Sequence, residues 1–304
     1  MDIWRSGFVC APLADVLAAG DLDRFELHWL PGPERRYSFL ADPFGVVRNG
    51  MTHIFVEAFD YRDRRGRIEV LTYGADMELL QRTTCLAEPW HLSYPAPIAW
   101  QGEDYLLPEA HRSGGLTLYR ATDFPRQWEA TRRIELPHVA VDATPIFHDG
   151  LWWLFYSTAG NNAGELHLAF AEHLIGPWRP HPDSPVRSGL VGSRPGGRAS
   201  HVGNRIVLPV QDCSRTYGGA IRPLWIDRLT PDRFDAEVGI EIKSPTSFAP
   251  FTDGLHTLSG CGELTLFDVK RIDRSLAGRV VGLIGKARRA AGISLPLPAG
   301  TGSR

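Results

Sequence analysis

A unit of about 50 residues recurs along the first half of the chain, and this repeat constrains the fold more than any other feature of the sequence. In each copy a short apolar run leads to a turn that ends in glycine, and a second apolar run follows. The turn glycines are Gly50, Gly102 and Gly150, so successive copies are 52 and 48 residues apart. The second run ends 15 residues after the residue that opens the first; these end residues are Glu57, Glu109 and Ser157.

Two more strands complete each copy. A third apolar run follows a glycine-containing turn (66–71, 115–120 and 164–170), and a short segment such as 128–130 or 178–180 closes the unit. The turn pairs Asn49-Gly50, Gln101-Gly102 and Asp149-Gly150 favour β-hairpins. Four strands per unit are typical of one blade of a β-propeller.

Two further copies follow in the second half of the chain. In the fourth copy, the segment 198–202 is the candidate first strand and the run ending at Gln211 is the second; a shorter fifth copy extends from 253 to 268. The sequence therefore predicts an all-β protein, a single five-bladed β-propeller over residues 1–270, in which the segment 25–30 could close the ring.

Helical patterns are confined to two segments. A short helix is predicted over 12–19. The tail 271–304 is basic, and its apolar residues between 276 and 290 recur at helical spacing, although three glycines weaken a helix there. Such a helix can cover the propeller, or it can make peripheral contact with an anionic membrane or a partner.

Composition narrows the class of partner. The net charge of -2 gives no bulk attraction to nucleic acid. The four cysteines form no CxxC pair, so neither a metal site nor another cofactor is predicted. The N-terminus lacks the pattern of a secretory signal, and no run reaches the roughly 20 apolar residues of a membrane span. We therefore expect a cytoplasmic protein with reduced thiols.

The repeat also predicts where a site lies, because the first strand of each propeller blade lines the central channel. Equivalent residues should then meet at one end of that channel. The residues that open the first strands are Asp42, Tyr94 and Asp142, with Arg198 near the matching place in the fourth copy. The second strands end in Glu57, Glu109, Ser157 and Gln211, with Asp212 beside the last, and His256 lies on the first strand of the fifth copy.

Two acids that face a shared axis suit glycoside hydrolysis, in which one carboxylate activates water or attacks carbon and a protonated acid assists the leaving oxygen. Asp42 and Asp142 are the predicted catalytic pair, with Glu109 or His256 as proton donor. Arg198 could hold a charged substrate group. Structural roles are alternatives: Asp42 precedes a proline in a turn, Glu57 could anchor neighbouring blades, and His256 could be a hydrogen-bonded core residue.

Several motifs resemble the N-terminal propeller-like domain of the glucosamine inositolphosphorylceramide transferase family over roughly 41–268. They are Trp90-His91-Leu92-Ser93-Tyr94-Pro95, Leu107-Pro108-Glu109, Leu118-Tyr119-Arg120 and Gln211-Asp212-Cys213 with Tyr217-Gly218. The resemblance implies substrate contacts through matched motif residues and other channel residues; these are Glu57, His91, Tyr94, Arg198, Gln211, Asp212 and Tyr217. In the plant members, transferase chemistry is attributed to a separate C-terminal domain.

Asp42-Pro43 and Asp142 also resemble the wider five-bladed furanosidase superfamily of arabinanases and fructosidases. That likeness implies that Asp42 is the general base and that Asp142 tunes the acid. The superfamily's acid is a glutamate in blade four, where this sequence offers Arg198, Gln211 and Asp212 instead, so another residue must replace it.

The predicted function is that of a carbohydrate-active protein, a glycosidase-like or sugar-transfer enzyme of polysaccharide or glycolipid metabolism with a carbohydrate or glycoconjugate substrate. Two alternatives remain at this stage. One is a non-catalytic glycan-binding module that serves a partner glycosyltransferase. The other is a propeller that binds proteins through its loops.

Overall fold

The computed structural model describes residues 1–33 and 35–291, and over this range the chain forms a five-bladed β-propeller. The chain begins with strand β1 (Asp2–Val9), helix α1 (Leu13–Ala19) and strand β2 (Leu27–Trp29). Blade one consists of β3 (Ser38–Arg48), β4 (Met51–Asp60), β5 (Arg65–Tyr73) and β6 (Leu79–Leu86). The predicted all-β class and the number of blades are confirmed.

Blades two and three follow the same up-and-down order as blade one. Blade two consists of β7 (Ser93–Trp100), β8 (Glu103–Glu109), β9 (Leu116–Asp123) and β10 (Gln127–Ile134). Blade three consists of β11 (Ala140–His148), β12 (Leu151–Thr158), β13 (Glu165–Ala171), β14 (Arg179–Pro180) and β15 (Arg187–Ser188). In the first hairpin of blades one to three, both central turn residues have positive φ, as in Asn49 at 52° and Gly50 at 74°, so the predicted turns are confirmed.

Blade four departs from the predicted start of its inner strand. The strand begins at β16 (Val191–Pro195), leaves the ladder at 196–199 and resumes as β17 (Ser200–Val202). A Cβ on Gly197 would lie 2.0 Å from the carbonyl oxygen of Leu258, so glycine permits a close approach to blade five at this break. The outer strands are β18 (Arg205–Asp212), β19 (Ala220–Thr230) and β20 (Arg233–Val238).

Blade five joins the two ends of the described chain. Its inner strands are β21 (Gly254–Cys261) and β22 (Leu264–Ile272), and β1 and β2 complete the sheet in the order β21-β22-β1-β2. All eight residues of β1 pair with β22, from Asp2 opposite Ile272 to Val9 opposite Thr265. The segment 25–30 thus contains the edge strand of the closing blade, while β1, which the repeat did not reveal, carries most of the closure.

The apolar core lies between neighbouring blades. Ile54 and Leu71 of blade one pack with Phe8 and Leu266 of blade five, and similar clusters join the other blades. Each fully buried side chain of this size contributes about 1.5–3 kcal/mol relative to an exposed one. These clusters fix the blades around the channel and so position the residues that line it.

Two helices and three single turns of 3-10 helix accompany the sheets. Helix α1 buries Leu13 and Val16 and ends at Gly20, whose φ is 67°. Helix α2 (Leu276–Ala290) begins at Ser275, whose side chain accepts a hydrogen bond from the N–H of Gly278. The 3-10 turns are Leu22–Arg24, His111–Ser113 and Thr246–Phe248. The rest of the predicted basic tail, 292–304, lies outside the described residues.

A β-bulge interrupts the inner strand of every blade at an equivalent place. The bulge residues Asp42, Tyr94 and Asp142 have φ of 50°, 46° and 51°, a conformation that is costly for residues other than glycine. Blade four has Gly192 at this position, with φ of 81°, and blade five has His256. The bulges turn these residues toward one end of the channel and release their N–H groups from the ladder.

Candidate functional site

A polar cavity of about 250 Å³ lies at the bulge end of the channel, and every blade contributes to it. Its charged and ring-bearing residues are of mixed sign and type. They are Trp4, Phe39, Asp42, Glu57, Phe59, Tyr61, Arg64, His91, Glu109, His111, Asp142, Arg194, Tyr217 and His256. The predicted convergence of Asp42, Asp142, Glu57, Glu109 and His256 from distant parts of the chain is thus present in this cavity.

Asp42 is buried beneath the cavity and holds its carboxylate against the next blade. Its Oδ2 accepts a hydrogen bond from the N–H of Tyr94 at 3.0 Å, while its own N–H donates to Oδ2 of Asp268 at 2.8 Å. Oδ1 has no hydrogen-bond partner among the described residues and lies 3.4 Å from Nδ1 of His256. Burial raises the pKa of Asp42 to about 7, against the opposing effect of His256.

His256 lies between carboxylates and a phenol. Its Nδ1 is 3.0 Å from Oδ2 of Asp268, and its Nε2 is 2.7 Å from the hydroxyl of Tyr217. Trp4 covers the ring, with centroids 4.3 Å apart. Burial alone would favour the neutral ring, but the charges of Asp268 and Asp42 outweigh it and raise the pKa of His256.

Glu57 ends strand β4 and faces the same cavity. Burial raises the pKa of Glu57 well above its ordinary range, and the neighbouring carboxylates of Asp42 and Glu109 act in the same direction. Nε2 of His91 lies 3.5 Å from Oε1 of Glu57. Because Nδ1 of His91 accepts the N–H of Gly66 at 2.8 Å, and burial lowers the pKa of His91 to about 4, this histidine is neutral with its proton on Nε2.

Glu109 occupies the position equivalent to Glu57 in blade two, but its surroundings differ. Ser93 donates its hydroxyl to Oε2 at 2.9 Å, and the backbone N–H of His111 donates to Oε1 at 2.8 Å. Burial would raise the pKa of Glu109, yet the hydrogen bond and charge of the His111 ring prevail and lower it to about 2. Two equivalent glutamates are therefore kept in opposite protonation states near neutral pH.

Asp142 forms a buried ion pair with Arg194. Nε of Arg194 donates to Oδ2 of Asp142 at 2.7 Å, Nη1 donates to the carbonyl of Asn162 at 3.1 Å, and Nη2 donates to the hydroxyl of Tyr217 at 3.3 Å. Burial raises the pKa of Asp142 in spite of this partner. Arg194 thus links blades three and four, and it brings a fixed positive charge to a cavity that is otherwise acidic.

Aromatic side chains form one wall of the cavity, on the side of blades five and one. Phe39 and Phe59 stack with centroids 4.9 Å apart, and Tyr61 meets Phe59 edge-on at 5.0 Å. Trp4 from β1 continues this wall. Carboxylates opposite aromatic faces provide both hydrogen-bond acceptors and apolar surfaces, which are the two kinds of contact that a sugar ring can make.

Some predicted site residues lie elsewhere. The phenol of Tyr94 points along the channel, where its hydroxyl bonds Thr144 and the backbone of Gly197. Arg198, expected at the blade-four position, lines a different cavity because the inner strand of blade four begins seven residues earlier. The Gln211 side chain donates to the carbonyl of Pro195, and Asp212 pairs with Arg222, so neither lines the acidic cavity.

Sequence reasoning missed three residues of the site and its immediate support. Arg194 went unnoticed because the blade-four repeat was aligned one segment too late. Trp4 was treated as part of a terminus, although an isolated strand before the first repeat is a signal for ring closure. Asp268 was hidden because the hairpin of blade five is shorter and breaks the 15-residue spacing.

Asp42, His256 and Asp268 also form a cluster whose ligand-type atoms lie within 4.8 Å of one another. Two carboxylates and an imidazole are suitable ligands for a divalent cation. In the structure the same three residues satisfy one another through the contacts of Nδ1 of His256, so the arrangement is complete as an electrostatic network without such an ion.

Comparisons with known proteins agree with this architecture. A family model described as "Glucosamine inositolphosphorylceramide transferase 1, N-terminal" matches residues 33–271. The Arabidopsis thaliana protein named glucosamine inositolphosphorylceramide transferase 1 is 32% identical over 256 residues, which are 81% of this chain and 32% of that protein. The protein of the same name from Oryza sativa subsp. indica is 34% identical over 216 residues, 67% of this chain and 29% of that protein. The chain therefore spans about a third of the length of these curated relatives.

Solved structures share the fold at low sequence identity. A family 117 glycoside hydrolase produced by the marine bacterium Zobellia galactanivorans has a TM-score of 0.58 and 18% identity, with 79% of this chain and 88% of that chain covered. An α-L-arabinofuranosidase from Podospora anserina has a TM-score of 0.55 and 11% identity, with 80% and 94% covered. At this level of identity the likeness establishes the fold alone.

Proposed function

The chain belongs to the family defined by the N-terminal part of glucosamine inositolphosphorylceramide transferase 1, and on this premise we propose that it binds the glycosyl part of a glycoconjugate in the acidic cavity and acts on a glycosidic bond there. The relatives are named for a sugar and a phosphorylated lipid, and several proteins of the same fold are named glycoside hydrolases. The thiols of Cys10, Cys85, Cys213 and Cys261 are free, which suits the cytoplasmic location that we propose.

The observation that carries the proposal is the state of Asp42. A buried carboxylate oxygen without a hydrogen-bond partner is costly, and here it lies at the floor of a cavity large enough for a small ligand. With a pKa of about 7, this group takes up or releases a proton near neutral pH, as a general base must.

Glu57, rather than Glu109 or His256, is the proton donor in this proposal. Glu57 is the cavity carboxyl whose pKa is raised most clearly, whereas Glu109 is held ionised by Ser93 and His111. Asp42 removes a proton from the attacking water or acceptor hydroxyl as its oxygen bonds to the anomeric carbon. The bond from that carbon to the leaving oxygen breaks, and Glu57 protonates that oxygen. Asp142 and Arg194 orient the substrate.

The pH dependence follows from these groups. The base must be ionised, so the rate should fall as the pH drops below about 7, where Asp42 takes up a proton. The acid must be protonated, so the rate should fall again at higher pH, as Glu57 with its raised pKa loses its proton. A bell-shaped profile is the expected result.

The decisive experiment compares turnover and binding. Wild-type protein is screened against aryl furanosides and pyranosides, including aryl glucosaminides, and the Asp42→Asn variant is assayed on any substrate found. We expect turnover to fall by roughly 100-fold or more in Asp42→Asn, while the Glu69→Gln control, a buried carboxylate outside the cavity, keeps its activity. Full activity of Asp42→Asn would overturn the catalytic role.

A non-catalytic glycan-binding module that serves a partner glycosyltransferase is the second candidate. It is favoured by blade four, whose bulge carries Gly192 and Ser193 and so supplies no carboxylate at the position where related hydrolases are expected to have one. The aromatic wall and Arg194 would then provide affinity. In that case no aryl glycoside is turned over, and Phe59→Ala weakens sugar binding more than Asp42→Asn does.

Helix α2 supports a further part of the proposal, contact with an anionic lipid surface. Leu276 and Leu283 are 77% and 66% exposed, and Val280 and Ile284 extend the same apolar surface. Exposed Arg279 and Lys286 lie on the same helix. Apolar side chains with flanking basic residues suit the interface of a membrane that carries negative charge. Among the described residues, no helix is long and apolar enough to cross a membrane.

The seating of α2 places this surface beside the cavity. Gly278 and Gly285 are the buried residues of the helix, and a Cβ on Gly285 would lie 1.9 Å from the carbonyl oxygen of Tyr61 and 3.1 Å from Cγ of Arg64. Tyr61 and Arg64 also line the cavity. The glycine face therefore rests on the propeller and directs the larger apolar residues outward, next to the site where a lipid-linked sugar would enter.

Vesicle binding tests this contact. The wild-type protein should sediment with vesicles of 30% phosphatidylserine in phosphatidylcholine at low salt, and far less with pure phosphatidylcholine. Leu283→Asp should abolish sedimentation, whereas Leu80→Asp, an exposed apolar residue on blade one, should not. Equal sedimentation of the Leu283→Asp variant and the wild type would refute the contact.

A further inference from the structure

A second cavity lies further along the same channel, beyond the acidic one. It has a volume of about 190 Å³, and most of its walls are inner-strand residues that follow the bulges by two to five positions. These wall residues are Phe44, Ala96, Pro97, Ile98, Ala99, Thr144, Pro145, Ile146 and Phe147. The Tyr94 phenol, bonded to Thr144 and Gly197, closes the channel between the two cavities.

Arg198 brings a positive charge to this largely apolar cavity. Its Nη2 donates to the carbonyl of Gly45 at 2.9 Å, and its backbone N–H donates to Ser259. Within residues 1–33 and 35–291 its guanidinium contacts no carboxylate, and its buried Nε has no hydrogen-bond partner. Burial lowers the pKa of Arg198, which is the effect of an uncompensated charge.

The other polar groups of the cavity point to the same kind of ligand. Trp152 also lines it, and its buried indole N–H has no partner among the described residues. The hydroxyl of Thr144 is already engaged with Tyr94 and the carbonyl of Asp142. The lining includes neither aspartate nor glutamate. The cavity therefore presents unused donors and a positive charge, and a buried arginine without a counter-ion is costly unless a ligand supplies one.

We propose that this second cavity binds a small organic oxyanion, with a carboxylate or phosphate against Arg198 and an apolar group among Phe44, Ile98 and Ile146. The volume suits such a ligand, since a cavity of about 150 Å³ accommodates benzene. The oxyanion forms charge-assisted hydrogen bonds with the guanidinium. The site is distinct from the acidic cavity, whose carboxylates would repel the same ligand.

Calorimetric titration with matched probes tests the proposal. Benzoate and phenyl phosphate carry the oxyanion and the ring, benzyl alcohol carries the ring without the charge, and inorganic phosphate carries the charge without the ring. We expect the two aromatic anions to bind with dissociation constants on the order of 0.1–1 mM, and each of the other probes to bind at least roughly 10-fold more weakly.

Three variants locate the binding. Arg198→Met keeps a long side chain and removes the charge, so anion affinity should fall by roughly 10-fold or more. Ala99→Trp narrows the cavity from an exposed position and should block it without disturbing the core. Arg205→Met, at an arginine that pairs with Asp227 and Glu237 on the outside of blade four, should bind as the wild type does.

Several results would overturn the proposal. They are equal binding of phenyl phosphate by folded Arg198→Met and by wild type, or no binding of either aromatic anion up to roughly 10 mM. Loss of probe binding in Asp42→Asn would place the probe in the acidic cavity and also refute it. Should Arg198→Met fail to fold, Ala99→Trp decides, because unchanged affinity in that variant excludes the second cavity.

Discussion

Replacing Asp42 by asparagine should stabilise the protein at neutral and higher pH, although the same change removes its proposed catalytic base. Asparagine retains the size of the side chain and an oxygen that can accept the N–H of Tyr94. It removes a charge whose second oxygen has no partner in the buried floor of the cavity. Functional sites commonly retain such unfavourable groups at the expense of stability.

The magnitude follows from the pKa of Asp42. Its rise from 3.8 to about 7 corresponds, at 1.36 kcal/mol per unit, to about 4 kcal/mol of destabilisation when the carboxylate is ionised. The folded state binds the proton more tightly than the unfolded state, so wild-type stability falls between about pH 4 and pH 7. The gain in Asp42→Asn should therefore be about 4 kcal/mol at pH 8 and less than about 2 kcal/mol at pH 5.

Urea unfolding of both proteins at pH 5 and pH 8 measures this difference, provided that the transitions are two-state and have equal slopes. Glu69→Gln is the matched control. Glu69 is a buried carboxylate that pairs with Arg67 at 2.6 Å and Arg82 at 2.8 Å, so removing its charge should lower stability. Two buried carboxylates are thus expected to respond with opposite signs.

The reasoning would be wrong if Asp42→Asn were less stable than the wild type at pH 8. A gain of the same size at pH 5 and pH 8 would also refute it, since the effect would not then come from ionisation. Lower stability of both variants would mean that the Asp42 carboxylate is compensated in the folded state after all.

Three other substitutions have defined outcomes. Arg194→Met should lower the free energy of unfolding at pH 8 by about 3–5 kcal/mol, because it leaves the Asp142 carboxylate buried without its partner; wild-type stability in urea would contradict this. On any aryl glycoside that is a substrate, Glu57→Gln should reduce kcat by roughly 100-fold or more for poor leaving groups and much less for activated ones, and equal losses would exclude proton donation. Gly285→Leu should undock helix α2, seen as faster proteolysis of the helix, whereas Gly282→Ala, whose added Cβ would meet a side-chain methyl at 3.4 Å, should leave it docked; equal proteolysis of the two variants would argue against the seating.

Much of the architecture was predictable because each blade is a local unit. Hairpin turns such as Asn49-Gly50 and the alternation of apolar runs depend on residues that are near in sequence, so the repeat identifies them directly. Blade five is the exception. Its third strand, β1, comes from the other end of the chain, and no local pattern in Asp2–Val9 distinguishes a closing strand from a frayed terminus.

The site was predictable in part for the same reason. Asp42 and Asp142 occupy equivalent places in regular repeats, and the propeller geometry brings them into one cavity. Arg198 shows the limit of this logic, because the interruption at 196–199 shifts the alignment of blade four and assigns the channel position to the wrong arginine. Arg194 occupies that place and pairs with Asp142.

The sequence alone determined the class of fold, the number of blades and the chemical types of side chain that open the inner strands. Only the tertiary structure decided the state of each group. Glu57 and Glu109 hold equivalent positions in the repeat, yet one lies among carboxylates and the other is hydrogen-bonded by Ser93 and His111. A protonation state depends on burial and on charges a few ångströms away, and the residues that supply those charges lie far apart along the chain.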